Sequence, residues 1–257
     1  MGPTSEDEVQ FSVGFNTEVV NFDDASDLVI THNGTANTGV TIADGPAFFT
    51  VTVTGISGDG SFTLAVSTDS DVGDGGGTFV SSSVTSAWVA IDNTPPTPVI
   101  GAPSATLTRG GPVTYPITYT DATSVNLRLE DVTLNSTGTA TGTLAVSNGM
   151  TNTPTVTLSD ISGDGTLGFS IATETADDAA DLLAEAAGPS TTFQVDNTAP
   201  VITLNLPGQT TVEAGGTWNE PSASVVDAGD GSVAVVTAGD TVNPNAAVGT
   251  MFTVTYN

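Results

Sequence analysis

Unlike segments of this chain recur in step at an interval of roughly 104 residues, and that periodicity constrains the fold more than any other feature. Val9-Gln10-Phe11-Ser12-Val13-Gly14-Phe15 returns as Val113-Thr114-Tyr115-Pro116-Ile117-Thr118-Tyr119. Val51-Thr52-Val53-Thr54-Gly55-Ile56-Ser57-Gly58-Asp59-Gly60 returns as Val156-Thr157-Leu158-Ser159-Asp160-Ile161-Ser162-Gly163-Asp164-Gly165. Asp92-Asn93-Thr94-Pro95-Pro96 returns as Asp196-Asn197-Thr198-Ala199-Pro200, 104 residues on. Three anchors of different composition keep one register, so the repeat is a structural unit. An interval of about 100 residues suits one β-sandwich.

The repeated runs alternate large apolar with small or polar residues, the pattern of a half-buried strand. Thr and Val favour strands, and Gly, Asp, Asn and Pro favour the turns between them. Asp177 to Ala187 is the one stretch that reads as a candidate helix. The fold class is therefore read as all-β. Each Asp-Asn-Thr-Pro/Ala-Pro stretch follows one strand-like run and precedes another. Proline fixes φ and donates no hydrogen bond, so these stretches read as stiff linkers between units. The expected domains are residues 1–94, 95–198 and 199–257. The first is expected to lack its opening strand, because nothing before Val9 matches Pro98 to Thr108. The third follows a different pattern through Ala223-Ser224-Val225-Val226 and Val233-Ala234-Val235-Val236. It ends in the strand-like run Met251-Phe252-Thr253-Val254-Thr255-Tyr256 and is expected to lack its last strand. The N-terminus has neither the basic nor the apolar region of a signal peptide. Such a chain is expected to be a segment of something longer.

Charge narrows the partners. With 29 acidic residues against two basic ones, the net charge is −27. The basic residues are Arg109 and Arg128, and there is no lysine. Binding to nucleic acid needs clustered Lys and Arg, so no nucleic-acid partner is expected. Anionic lipid is excluded on the same ground, and no run is long and apolar enough for membrane insertion. Cations are the charged partners that remain. The absence of cysteine excludes disulfides, thiolate chemistry and Cys-based zinc sites.

The first two units resemble the tandem bacterial immunoglobulin-like domains of large surface adhesins and other extracellular proteins. Val51 to Gly60, Val156 to Gly165 and the two linkers carry the likeness, as does Phe15 to Phe22 followed by Ala25 to Leu28. The third segment is similar to a hyalin-repeat-type Ig-like surface module, through Thr211 to Gly216, Glu220-Pro221 and Val226 to Gly231. The resemblance implies tandem immunoglobulin-like β-sandwiches arranged end to end, with an extracellular or cell-surface location. It implies a non-enzymatic structural stalk or adhesion module. The expected partners are neighbouring domains of the same kind in a longer chain and a cell-surface or glycan ligand.

That topology collects the acidic loops at the junctions. In such a sandwich the last strand ends in the linker. The turn before the preceding antiparallel strand lies at the same pole. The loop after the second strand of the next unit faces it. Asp59, Asp92, Asn93 and Asp121 are thus expected at the first junction. Asp164, Asp196, Asn197, Asp227 and Asp230 are expected at the second. Calcium takes six to eight hard oxygen ligands from flexible loops, and Gly beside Asp lets backbone carbonyls join them. Asp196-Asn197-Thr198-Ala199-Pro200 is similar to the linker motif of cadherins. Calcium at the junctions is the expected metal, and the opposing possibility is that these residues simply form turns.

Two rival functions were weighed. A hydrolase would need His32, the one histidine, beside a nucleophile; no nucleophile-elbow motif is present. Paired carboxylates for glycoside cleavage would need a deep cleft, which sandwiches of this size rarely carry. No enzyme is expected. An accessory carbohydrate- or ligand-binding module of an extracellular enzyme would need an exposed aromatic platform. Trp88 and Trp218 are the candidates, and both are expected to pack in a core or interface.

Overall fold

The computed structural model describes residues 2–43, 45, 47–205, 211–227, 229 and 233–257. Every regular element among them is a strand or a single 3-10 turn, as the alternating sequence dictates. The first repeat contains β1 (Glu8–Gly14), β2 (Leu28–Asn33), β3 (Gly39–Ala43), β4 (Phe48–Thr54), β5 (Gly60–Val66) and β6 (Val89–Ile91). They form two antiparallel sheets, in the orders β1-β4-β3 and β2-β5-β6. Period-two alternation turns Phe49, Val51 and Val53 of β4 inward. They meet Phe62 and Leu64 of β5 from the other sheet in one core. Phe22 stands edge-on to Phe49 and Phe15, at ring-centroid distances of 4.9 and 5.2 Å, a favoured aromatic geometry.

The second repeat contains β7 (Thr97–Ile100), β8 (Leu107–Thr108), β9 (Val113–Thr120), β10 (Ser124–Val125), β11 (Val132–Ser136) and β12 (Thr141–Ser147). It continues through β13 (Thr155–Ser162), β14 (Gly165–Ile171), β15 (Ala176–Asp177) and β16 (Phe193–Val195). Two four-stranded sheets, β12-β13-β9-β7 and β11-β14-β16-β8, enclose its core. Tyr115, Phe169, Phe193, Leu158 and Leu167 fill that core and are excluded from solvent. One pairing, β16 with β8, is parallel. The run from Asp177 to Ala187 is not helical: β15 and isolated bridges Asp177 to Leu183 and Ile171 to Ala187 occupy it.

The first repeat retains a trace of β8. Thr4 makes a parallel bridge with Ile91, its N–H donating to the Ala90 carbonyl and its carbonyl accepting from the Asp92 N–H. The Val195 to Thr108 parallel pair and the Asp196 N–H to Thr108 carbonyl bond repeat the bridge and the second of these bonds 104 residues on. So residues before Val9 do have a counterpart, in β8.

The third segment contains β17 (Val201–Asn205) paired with β18 (Ser222–Val226), and β19 (Thr237–Gly239) paired with β20 (Val254–Tyr256). Val233 to Val236 precedes β19 instead of forming a strand. Among the described residues, no hydrophobic side chain after Val195 is buried. Each pair is a lone two-stranded ladder, which is marginal without further strands.

Candidate functional site

Both linkers are held by the same set of hydrogen bonds, and the hairpin turn before β5 or β14 supplies the acceptors. At the first linker, Asp59 Oδ1 accepts from the Asn93 N–H at 2.6 Å and Oδ2 from the Thr94 hydroxyl. Asn93 Nδ2 donates to the Gly58 carbonyl at 3.1 Å. At the second, Asp164 Oδ1 accepts from the Asn197 N–H at 2.6 Å and the Thr198 N–H at 3.2 Å. Its Oδ2 accepts from the Thr198 hydroxyl at 2.9 Å, and Asn197 Nδ2 donates to the Gly163 carbonyl at 2.8 Å. The turns need glycine. Gly58 and Gly163 sit at φ near +78° and +79°, and a Cβ on either would collide with a backbone carbonyl opposite.

These bonds favour the charged carboxylates. The Thr94 hydroxyl and Asn93 N–H hold Asp59 below the usual carboxylate range, and the Asn197 N–H and Thr198 do the same for Asp164. Asp92 and Asp196 behave in the opposite way. Burial pushes Asp92 up against the opposing Thr94 N–H, and the charges of Asp178, Asp121 and Asp59 add to the rise. The Thr198 N–H pulls Asp196 down, but burial and the neighbouring carboxyls of Asp227 and Asp164 outweigh it. Asp196 is 5 % exposed, and its Oδ2 is buried without a hydrogen-bond partner.

The expected residues therefore divide into two sets at each junction. Asp59, Asp164, Asn93 and Asn197 brace the linker to its own preceding repeat. Asp92 feels Asp121 at the first junction, and Asp196 meets Asp227 at the second. Asp196 Oδ2 also packs against Gly229, whose N–H donates to Asp227 Oδ1 at 3.0 Å. Asp230 lies outside the described residues. Among those described, no three His, Asp or Glu side chains are grouped as a ready metal cage.

Asp178 joins the first junction unforeseen. It is 3 % exposed, and Oδ1 accepts from the Ala180 and Leu182 N–H groups at 2.7 and 2.9 Å. Its Oδ2 is buried with no hydrogen-bond partner. The loop it organises receives the Ser5 hydroxyl of the first repeat on the Ala180 carbonyl at 3.4 Å. The 104-residue register could have revealed it. Asp74 builds the same loop in the first repeat, accepting from Gly76 and Thr78 N–H groups at 2.8 and 3.1 Å.

The catalytic and aromatic candidates resolve otherwise. His32 lies on β2 with Nδ1 at 3.1 Å from the Thr35 hydroxyl and Nε2 at 2.9 Å from Asn37 Oδ1. Trp88, expected in the core, is 56 % exposed. It precedes β6, whose Ile91 is buried, and strand alternation therefore turns residue 88 outward. Trp218 is half-buried, with its indole N–H donating to Glu220 at 2.7 Å. Comparisons with family models, with curated proteins and with solved structures find no match for this chain.

Proposed function

We propose that this chain is a non-enzymatic stalk segment: tandem immunoglobulin-like sandwiches of a bacterial surface or secreted protein, end to end, with junctions stiffened by calcium. The observation that carries the reading is the linker brace. The same Asp, Asn and Thr side chains tie each linker to the repeat before it, with the same donors and acceptors. A chain whose repeated geometry sits in its connectors is organised to control how its units are spaced.

Calcium suits what stands at the junctions. Asp178 and Asp196 each carry a buried carboxylate oxygen that no protein group satisfies, a costly arrangement for an ionised group. At the first junction Asp92, Asp121 and Asp178 repel one another without forming a cage, and calcium would have to draw them together to be held there. Asp196 and Asp227 would hold it at the second, while Asp59 and Asp164 stay on the linker amides. The bound ion supplies positive charge in a chain with two arginines and no lysine. Extracellular modules bind calcium weakly enough to depend on a millimolar supply. A binder of the folded state adds on the order of 1–3 kcal/mol per site at such concentrations. The test is small-angle scattering together with thermal unfolding, in calcium and in chelator, on the wild type and Asp196→Ala. Calcium is expected to lengthen the maximum dimension and raise the midpoint of the wild type, and to do so less in the variant. Identical curves in all conditions would leave these carboxylates as turn and surface residues.

One observation favours a second reading, a ligand-binding module. Trp218, Glu220, Phe252 and Tyr256 line an open hollow of about 870 Å³ in the third segment. The Tyr256 hydroxyl donates to Glu220 at 2.7 Å. A stacking aromatic beside a carboxylate acceptor suits a sugar. Saturable quenching of Trp218 fluorescence by oligosaccharides, abolished in Trp218→Ala, would support this reading over the stalk.

A further inference from the structure

The outer face of the β2-β5-β6 sheet differs from the rest of this acidic chain. β2, β5 and β6 carry one ionisable side chain between them, His32, and its ring lies 6.1 Å from that of the core residue Phe62. Leu28, Ile30, Phe62 and Leu64 face the core, so alternation leaves Val29, Thr31 and Asn33 on the outer face, beside Thr63 and Ala65. Trp88 completes that face from the edge strand. It is 56 % exposed, and the pairing of Phe62 with Val89 sets it opposite Thr63. Thr63 points outward from its strand yet is 5 % exposed.

The second repeat indicates where the indole lies. Gly168 and Thr192 occupy the places of Thr63 and Trp88, because Leu167 pairs with Phe193 as Phe62 pairs with Val89. A Cβ at Gly168 would stand 3.1 Å from Thr192 Cγ2. The side chain at this place therefore reaches across the outer face, and an indole there covers Thr63 while turning its other side to solvent. Thr192 is exposed although β7 and β8 are both in place in its repeat. The exposure of Trp88 thus belongs to the position itself.

We propose that this face binds a neutral glycan, with one pyranose ring stacked on Trp88 and the next lying across Thr63 toward Thr31. An indole offers a large, rigid apolar surface to the C–H face of a sugar. The Thr31 hydroxyl and the Asn33 amide stand on the same face, and both can donate to or accept from sugar hydroxyls. Neighbouring strands lie about 4.8 Å apart, so β2 stands about 10 Å from Trp88, the span of about two pyranose rings. Charge selects the ligand. The face offers no cation to an anionic glycan, and the net charge of −27 repels one. A second copy of the chain meets the same repulsion.

The two tryptophans allow the face to be read alone. Fluorescence is followed in the full chain carrying Trp218→Phe, so that Trp88 is the sole reporter. Chelator is present throughout, which separates the result from calcium at the junctions. The titrants are neutral hexasaccharides of glucose, mannose, xylose and N-acetylglucosamine, with hexagalacturonate as the anionic control. Saturable quenching by at least one neutral hexasaccharide is expected, and none by hexagalacturonate. Calorimetric titration of that sugar should weaken about tenfold or more in Trp88→Ala. Trp88→Phe keeps a ring and should fall between. No quenching by any neutral hexasaccharide at millimolar concentration would overturn the proposal. Equal affinity for hexagalacturonate, or undiminished affinity in both Trp88 variants, would overturn it as well. So would shielding of Trp88 from acrylamide without sugar, rising with protein concentration as sedimentation reports a dimer, which would make a second copy the occupant.

Discussion

Four aspartates at the two linkers occupy similar surroundings, yet their pKa values are shifted in opposite directions, Asp59 and Asp164 down and Asp92 and Asp196 up. Asp164 has its pKa lowered by hydrogen bonds that the folded state provides. Its contribution to stability is present above the ordinary carboxylate value of 3.8 and is lost as pH falls through the lowered folded value. Asp196 has its pKa raised on balance, so its contribution is full at low pH and is lost as pH rises through the folded value. In chelator at pH 7, Asp164→Asn should therefore lower the thermal midpoint and Asp196→Asn should raise it. Both differences should shrink in acid, where each carboxyl is already protonated; calorimetry across pH 2 to 7 checks this. The Ser-Gly-Asp-Gly turns and the Asp-Asn linkers were legible in the sequence because Gly and Asp carry local turn signals. Asp178 was not. Its carboxylate captures amides two and four residues ahead, which diverts a helix-patterned run into a loop. Nothing in the spacing of Asp177 to Ala187 announces that competition.

Elements legible from alternation alone were those buried on one face. β1, β4, β5 and their counterparts β9, β13 and β14 fall where the apolar period placed them. The third segment was less legible because its strands bury nothing, and period two then carries no register information. Its ladder instead follows the Val236 and Asn257 backbone groups, which exchange N–H to carbonyl bonds at 2.7 and 2.9 Å and place β19 just beyond the apolar run. Glycine separates the turns that matter from those that do not. A Cβ at Gly163 would meet the Thr139 carbonyl at a positive φ, whereas at Gly110 it would sit in ordinary contact with the Ile161 carbonyl at 3.4 Å. Gly163→Ala should cost about 1–3 kcal/mol, and Gly110→Ala should lie within about 0.5 kcal/mol of wild type. Urea unfolding of the two variants makes the comparison.

Across the whole molecule the apolar interior is unevenly distributed. The second repeat buries the larger set of core side chains, the first is open under β1, and the third has no buried hydrophobic among its described residues. Unfolding should accordingly be multi-step, and one midpoint would not describe it. Phe169→Ala removes an aromatic ring that is 0 % exposed and should cost about 3–5 kcal/mol. That loss should appear in the highest-melting transition and leave the first repeat's transition in place. Residues 199–257 expressed alone should show no cooperative transition, since lone strand pairs order backbone without burying enough apolar surface to offset it. A sharp calorimetric peak from that fragment would contradict this account.

The parallel ladder between β8 and β16 has a mechanical consequence. The chain enters β8 at one end of the ladder and leaves β16 at the other, so tension through both linkers, once it has released β7 from β9, drags the two strands past each other lengthwise. The Gln194 and Asp196 N–H bonds then bear load together, where an antiparallel pair pulled from one end would unzip one bond at a time. Forced unfolding is governed by the unfolding rate, so concerted bond rupture raises resistance without requiring a larger equilibrium stability. Repeated pulling on single molecules should find the second repeat the last to yield. The Asp164 brace lies in series with that ladder, and tugging on Thr198 loads the brace first.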